Sequence, residues 1–306
     1  MDKRRKERET YRKWGKGYYH LCTDGWKDSL LFHTTAEFAF GMLLMGLVTF
    51  FTGVTIYAFV LMPNHIHIIL SGTGPQCLKV FSYLKRKISS RLKSDGYPPL
   101  PKDYGFKLIP IESMEQMRNN IIYVIRNPYE KLWSVPGGYP WGTGMYYFSL
   151  AGQLLKGRPV EEMSERELFQ LAGTRKKLPP HWQIHPVFGL LPAGFINMKL
   201  INKLFPSPKD YETHLIKDYE SYVTVADEIG ETPDYSLQEG WDIVNQLLDG
   251  KPLSQLNADE KGQLAVRLNQ FKMTPIQISQ LLGMPEYLVK QFVNSKDYGR
   301  KPKTRR

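Results

Sequence analysis

Two histidines stand two residues apart in the segment Leu61-Met-Pro-Asn-His65-Ile-His67-Ile-Ile-Leu70. On a β-strand the side-chain period is two, so His65 and His67 project from one face while Ile66 and Ile68 turn to the other. Imidazole is the commonest protein ligand for metals, so a pair on one face can hold a divalent ion. Taken alone, the pair fits ordinary strand histidines better than ligands. A second segment, Ile121-Ile-Tyr123-Val-Ile-Arg-Asn127-Pro128, places a phenol and an amide four residues apart near the end of a helix, on one face. A phenol has a reference pKa near 10 and is protonated at neutral pH, so it attacks a phosphodiester only with help. Asn127, next to Pro128, equally fits a helix cap or the start of a turn.

The elements that must position these groups are legible in outline. Gly17 to Trp26 reads as a first strand, and Thr34 to about Phe51 as a helix capped by Thr34 or Thr35. Val54 to Leu61 and Ile66 to Leu70 read as strands joined at Pro63-Asn64. Leu78 to Leu92 is a basic amphipathic helix, with Leu78, Phe81, Leu84, Ile88 and Leu92 at helical spacing. Lys79, Lys85, Arg86, Lys87 and Arg91 surround that stripe as candidate phosphate contacts. Lys107 to Ile111 is a short strand, and Met114 to about Arg126 a helix ended by Pro128. The order β-α-β-β-α-β-α predicts an α+β class with a ferredoxin-like domain, an antiparallel sheet with helices on one face.

Beyond Trp141 strands become scarce and Pro/Gly-rich pieces separate short helical stretches. A mainly helical C-terminal region is expected there, ending in a helix-turn-helix. Thr274 to Leu282, Gly283 and Pro285 to Val293 form that helix pair, with Tyr287, Lys290 and Gln291 offered to a DNA groove. The expected divisions are residues 1–150 as a catalytic domain, 151–257 as a helical or irregular extension, and 258–306 as a DNA-binding region with a basic tail.

The formal net charge is +11, with 41 Lys and Arg against 30 Asp and Glu, which favours nucleic acid or an anionic membrane surface as partner. Basic residues cluster at the start, between Lys79 and Arg91, and at the end (Arg300, Lys301, Lys303, Arg305, Arg306). Only Cys22 and Cys77 occur, which argues against a disulfide framework and fits a reducing compartment. No signal peptide is evident, and a cytoplasmic, bacterial, nucleoid-associated location is expected. Residues 38 to 63 carry no charge, yet Gly41, Gly46, Thr49, Thr52, Gly53 and Thr55 interrupt the run. Its second half is β-branched and aromatic, so a buried helix, a turn near Gly53 and a buried strand are expected, not a membrane span.

These segments together resemble the HUH single-tyrosine transposases, in particular the REP-associated tyrosine transposases, whose central strand typically reads Met-Pro-Asn/Asp-His-hydrophobic-His. Residues 62 to 70 match closely, the Tyr123 segment follows at the family's spacing, and Tyr139-Pro-Trp141-Gly-Thr143 is similar to its Trp-Ser-Ser neighbourhood. The likeness spans roughly residues 15 to 150. It implies a metal-dependent enzyme that nicks and rejoins single-stranded DNA at hairpin repeats through a 5′-phosphotyrosine link. Tyr123 would be the nucleophile, and His65, His67 and Asn127 would hold Mg²⁺ or Mn²⁺, with Tyr129 the nearest competing nucleophile. The link conserves bond energy, and no phosphate-loop motif is present, so no nucleotide cofactor is expected.

Two departures stand out. About 150 residues follow the catalytic core, and Gly142-Thr143 replaces the two serines common in the family. A single tyrosine nucleophile argues against the two-tyrosine relaxases. The competing reading is a non-catalytic DNA-binding regulator derived from a transposase, in which the helix-turn-helix carries the function. Partners are single-stranded or hairpin DNA, with monomer and homodimer both open.

Overall fold

The computed structural model describes residues 3–25, 30–128, 137–217, 219–233 and 235–295. They belong to two compact units, Met1–Lys217 and Asp218–Arg306. The boundaries expected at 150 and 257 each fall inside one of these units. Tyr129 and the basic tail from Arg300 lie outside the described residues.

The first unit begins α1 (Lys3–Arg12), β1 (Gly17–Thr23), α2 (Thr35–Thr52), β2 (Thr55–Leu61), β3 (Ile66–Gly72), α3 (Gly74–Ser94), β4 (Phe106–Ile111), α4 (Met114–Arg126). Polar caps set the helix starts. The Thr34 and Thr73 hydroxyls accept from the N–H groups of Glu37 and Gln76, whose side chains accept from the cap backbones in return. Ser113 accepts from Gln116 N–H at the start of α4. The left-handed Gly53 ends α2 and turns the chain into β2.

All four strands pair antiparallel in the order β2-β3-β1-β4, the split β-α-β arrangement expected from the element order. The class is α+β. Directly opposed residues share a face, so Cys22 with His67, and His20 with both Ile69 and Ile109, lie on one side of the sheet. Leu21, Ile68 and Leu108 lie on the other. Phe81 of α3 stacks on Phe106 there, with ring centroids 4.4 Å apart, and Gly41 of α2 adjoins Leu61. The expectation of helices on one face therefore holds for α2, α3 and also α1, whose Tyr11 packs on Phe106, but not for α4. Helix α4 covers the opposite face, its Tyr123 ring packing on His67.

The chain continues through α5 (Leu150–Leu154), β5 (Arg158–Pro159), α6 (Glu165–Ala172), β6 (Gln183–His185), β7 (Gly189–Leu190), α7 (Met198–Leu204) and α8 (Pro208–Lys217). The small antiparallel sheet β5-β6-β7 was not expected, because strands of two or three residues show no periodicity. Strand β7 explains the apolar run in α2. That helix is long and apolar enough to cross a membrane, yet Leu190 lies 2.1 Å from where a Cβ on Gly46 would sit, so only glycine admits this contact. Gly41 through Val48 are buried within the protein.

The second unit contains α9 (Tyr219–Ile229), α10 (Leu237–Leu248), α11 (Ala258–Gln270), α12 (Pro275–Leu282) and α13 (Glu286–Asn294). Side chains from α9 to α13 share one apolar core, including Val223, Val244, Leu268, Ile278, Leu282 and Val289. The C-terminal helix pair is thus part of a five-helix unit, and the left-handed Gly283 (φ 60°) joins α12 to α13.

Candidate functional site

Three histidines and a tyrosine meet on the sheet face turned to α4. His67 is fully buried near the start of β3, its ring centroid 4.8 Å from His65, 5.2 Å from His20 and 5.7 Å from Tyr123. The His20 and Tyr123 rings lie 6.1 Å apart. The structure brings His65, His67 and Tyr123 together as their spacing suggests. It adds His20, which sequence reading missed, because only the β1–β3 register places it diagonally beside His67.

Hydrogen bonding fixes which nitrogen each ring presents. Asn120, one turn before Tyr123, donates Nδ2–H to the Gln116 carbonyl (2.9 Å), so its Oδ1 faces His20. His20 Nδ1–H therefore donates to Asn120 Oδ1 (2.8 Å), which makes His20 Nε2 an acceptor for His67 Nδ1–H (3.0 Å). His67 is left with its lone pair on Nε2. At His65, Nδ1–H donates to Asn64 Oδ1 (2.7 Å), with the same result. Both imidazoles carry the outer hydrogen bond typical of a metal-ligating histidine, so the donor chemistry fits a divalent ion. Burial, then the neighbouring His65 and His20, hold the His67 pKa well below the ordinary histidine value. That keeps the ring neutral, the form a ligand requires.

Asn127 caps α4, its backbone N–H donating to the Tyr123 carbonyl (3.1 Å). It retains right-handed helical backbone (φ −48°, ψ −40°) despite preceding Pro128. Among the described residues no hydrogen bond joins its side chain to either histidine. Tyr123 is only 2 % exposed, so an external group reaches its hydroxyl only when the side chains covering it move.

The Gly142-Thr143 departure has a structural answer. Leu61 N–H donates to the Trp141 carbonyl (2.8 Å) and Thr143 N–H to the Phe59 carbonyl (3.0 Å), so this segment closes the outer edge of β2. Thr143 Oγ1 also accepts from Phe59 N–H (3.2 Å). A Cβ at Gly142 would stand 2.8 Å from the Phe59 carbonyl oxygen, which leaves no room for serine.

The expected basic contacts on α3 divide by partner. Lys79, Lys85 and Arg86 line one groove with Arg8 and Arg12 of α1. Lys85 Nζ donates to the carbonyls of Lys102 and Tyr104 (2.8 Å each), holding that loop in place. Arg91 is engaged by Asp95 (2.5 Å) and lies 5.5 Å over the Phe40 ring, and Lys87 lies 5.8 Å from the Tyr83 ring centroid. Because α3 and α4 cover opposite faces of the sheet, this groove is not beside the histidines. On α13, Tyr287 and Gln291 are exposed, and Lys290 pairs with Glu286 (2.7 Å).

No protein-family model matches this chain, and no curated protein matches it. Among solved structures it is similar to a REP-associated tyrosine transposase bound to a REP hairpin, at 19% identity and a TM-score of 0.35, over 43% of this chain and 79% of that one. A likeness of that size identifies no family.

Proposed function

We propose that the first unit is a metal-dependent nuclease and strand transferase acting on single-stranded DNA at hairpin repeats, with Tyr123 as nucleophile. The observation that carries this reading is the packing of Tyr123 against His67, whose ring lies beside His65, with the Nε2 lone pair of both His65 and His67 set by a hydrogen bond at the other nitrogen. His65 and His67, with Asn127 as a third ligand, would hold Mg²⁺ or Mn²⁺. When bound, the ion supplies Lewis-acid polarisation of a phosphate oxygen. The Tyr123 hydroxyl gives up its proton as its oxygen bonds to phosphorus. The phosphorus–O3′ bond breaks, and the departing 3′ oxygen takes up a proton, leaving a 5′-phosphotyrosine and a free 3′-OH. Attack by a 3′-OH on that link reverses the step and joins DNA. The chain's own contribution is positional: Asn120 orients His20, His20 orients His67, and α4 brings Tyr123 to the same face. The exposed residues Tyr287, Lys290 and Gln291 of α13 would add contacts to duplex DNA.

The burial of Tyr123 favours one other reading, a DNA-binding regulator that never exposes the phenol. A single assay separates the two. Purified protein incubated with hairpin-bearing single strands and Mg²⁺ or Mn²⁺ forms an SDS-resistant protein–DNA adduct if it is the enzyme. Failure to form adduct with either ion supports the regulator.

A further inference from the structure

The groove between α1 and α3 encloses about 920 Å³, and none of its lining side chains is acidic. Arg8, Lys79, Arg86 and Lys102 border it, and Tyr83 and Phe51 form its aromatic wall, with ring centroids 5.6 Å apart. Cations surround this aromatic pair. The Arg86 guanidinium lies 5.7 Å from the Tyr83 ring, and the Lys176 ammonium 5.4 Å from the Phe51 ring. Lys176 belongs to the exposed loop after α6, far along the chain, where Arg175 lies 5.5 Å from the Phe169 ring. Loop and groove are neighbours, since a Cβ on Gly173 would sit 3.2 Å from Lys87 Nζ. Among the described residues, Arg8, Lys79, Arg86, Arg175 and Lys176 have no carboxylate partner. Burial, then Arg8 and Arg4, lower the pKa of the Lys85 ammonium, as crowded positive charge does.

From this we infer that the α1–α3 groove and the Arg175–Lys176 loop form one continuous exosite for single-stranded DNA, on the side of the sheet away from Tyr123. The cations track phosphates, and Tyr83 with Phe51 offers a stacking platform that suits unpaired bases. A duplex hides its base faces and has no use for such a platform. The exosite takes from the reading above only its DNA partner and none of its chemistry.

Anisotropy titrations of the full-length protein with fluorescent oligothymidylate, over a KCl series without divalent ions, test this. The variants are Lys79→Gln with Arg86→Gln, Arg175→Gln with Lys176→Gln, and Tyr83→Leu. Each double variant removes two phosphate contacts, so the slope of log affinity against log salt becomes shallower by about 1.4, from about 0.7 per phosphate on single strands. Tyr83→Leu weakens binding about fivefold or more, the low end of what one stacked base contributes. Melting curves check that the variants fold, Lys79, Arg86, Arg175 and Lys176 being exposed and Tyr83 half-buried. An unchanged slope in either double variant, or tighter binding of an equal-length duplex than of the single strand, overturns the exosite. No cleavage step enters these titrations. A wild-type protein that binds in this way but forms no adduct therefore overturns the nicking reading alone.

Discussion

The interiors of the two units are built from different materials. Beneath α4 the first unit buries His20, His67 and Asn120 in one hydrogen-bonded chain, whereas the core shared by α9 to α13 is built from aliphatic and aromatic side chains, Tyr219 and Tyr235 among them. Burying polar groups costs free energy unless each finds a partner, so a connected polar interior is a constraint that simple folding does not demand. That core packs α9 to α13 together and leaves Tyr287, Lys290 and Gln291 of α13 exposed. On the function proposed above, the chemistry belongs to the first unit.

Substitutions sharpen this contrast. The largest effect on function is expected from His65→Ala, which removes a half-buried imidazole of the proposed metal site and should eliminate adduct formation, while urea unfolding shifts by no more than about 1 kcal/mol. Retained adduct would remove His65 from the site. In the second unit, Leu268→Ala destabilises by about 2–5 kcal/mol, the usual cost of a cavity in an apolar core, measured by chemical unfolding. A change below about 1 kcal/mol would mean that this core is loosely packed.

His20→Phe retains a planar ring but no longer accepts from His67 Nδ1–H. It should lower Mn²⁺ affinity by about 10–100-fold in calorimetric titration, as loss of an outer-shell partner does. Unchanged affinity would make the polar chain a packing device only. The smallest effect belongs to Lys290→Ala on exposed α13. Stability stays within about 0.5 kcal/mol, and duplex binding loses about 0.9 from its salt slope, one phosphate's share.

How much of this was legible in the sequence depends on the range of the signal. Helices α2, α3 and α4 announced themselves through caps and periodicity, and the His65/His67 pair through strand alternation. His20 did not, because its role depends on the β1–β3 register, which joins residues 47 positions apart. The short strands β5 to β7 were invisible for lack of a repeating pattern. A cut before Asp259, natural from the helix-turn-helix pattern, would tear α11 to α13 from the core they share with α9 and α10. Only the tertiary packing shows that the workable cut lies after Lys217.

The most direct measurement locates the DNA-linked residue. Trypsin releases Asn119–Arg126, whose single tyrosine is Tyr123, separately from Asn127–Lys131, whose single tyrosine is Tyr129. After reaction with a hairpin-bearing single strand and nuclease trimming, mass spectrometry should find the residual nucleotide on Asn119–Arg126, and Tyr123→Phe should abolish it. A nucleotide on Asn127–Lys131, or adduct that survives Tyr123→Phe, would contradict the assignment of Tyr123 as nucleophile.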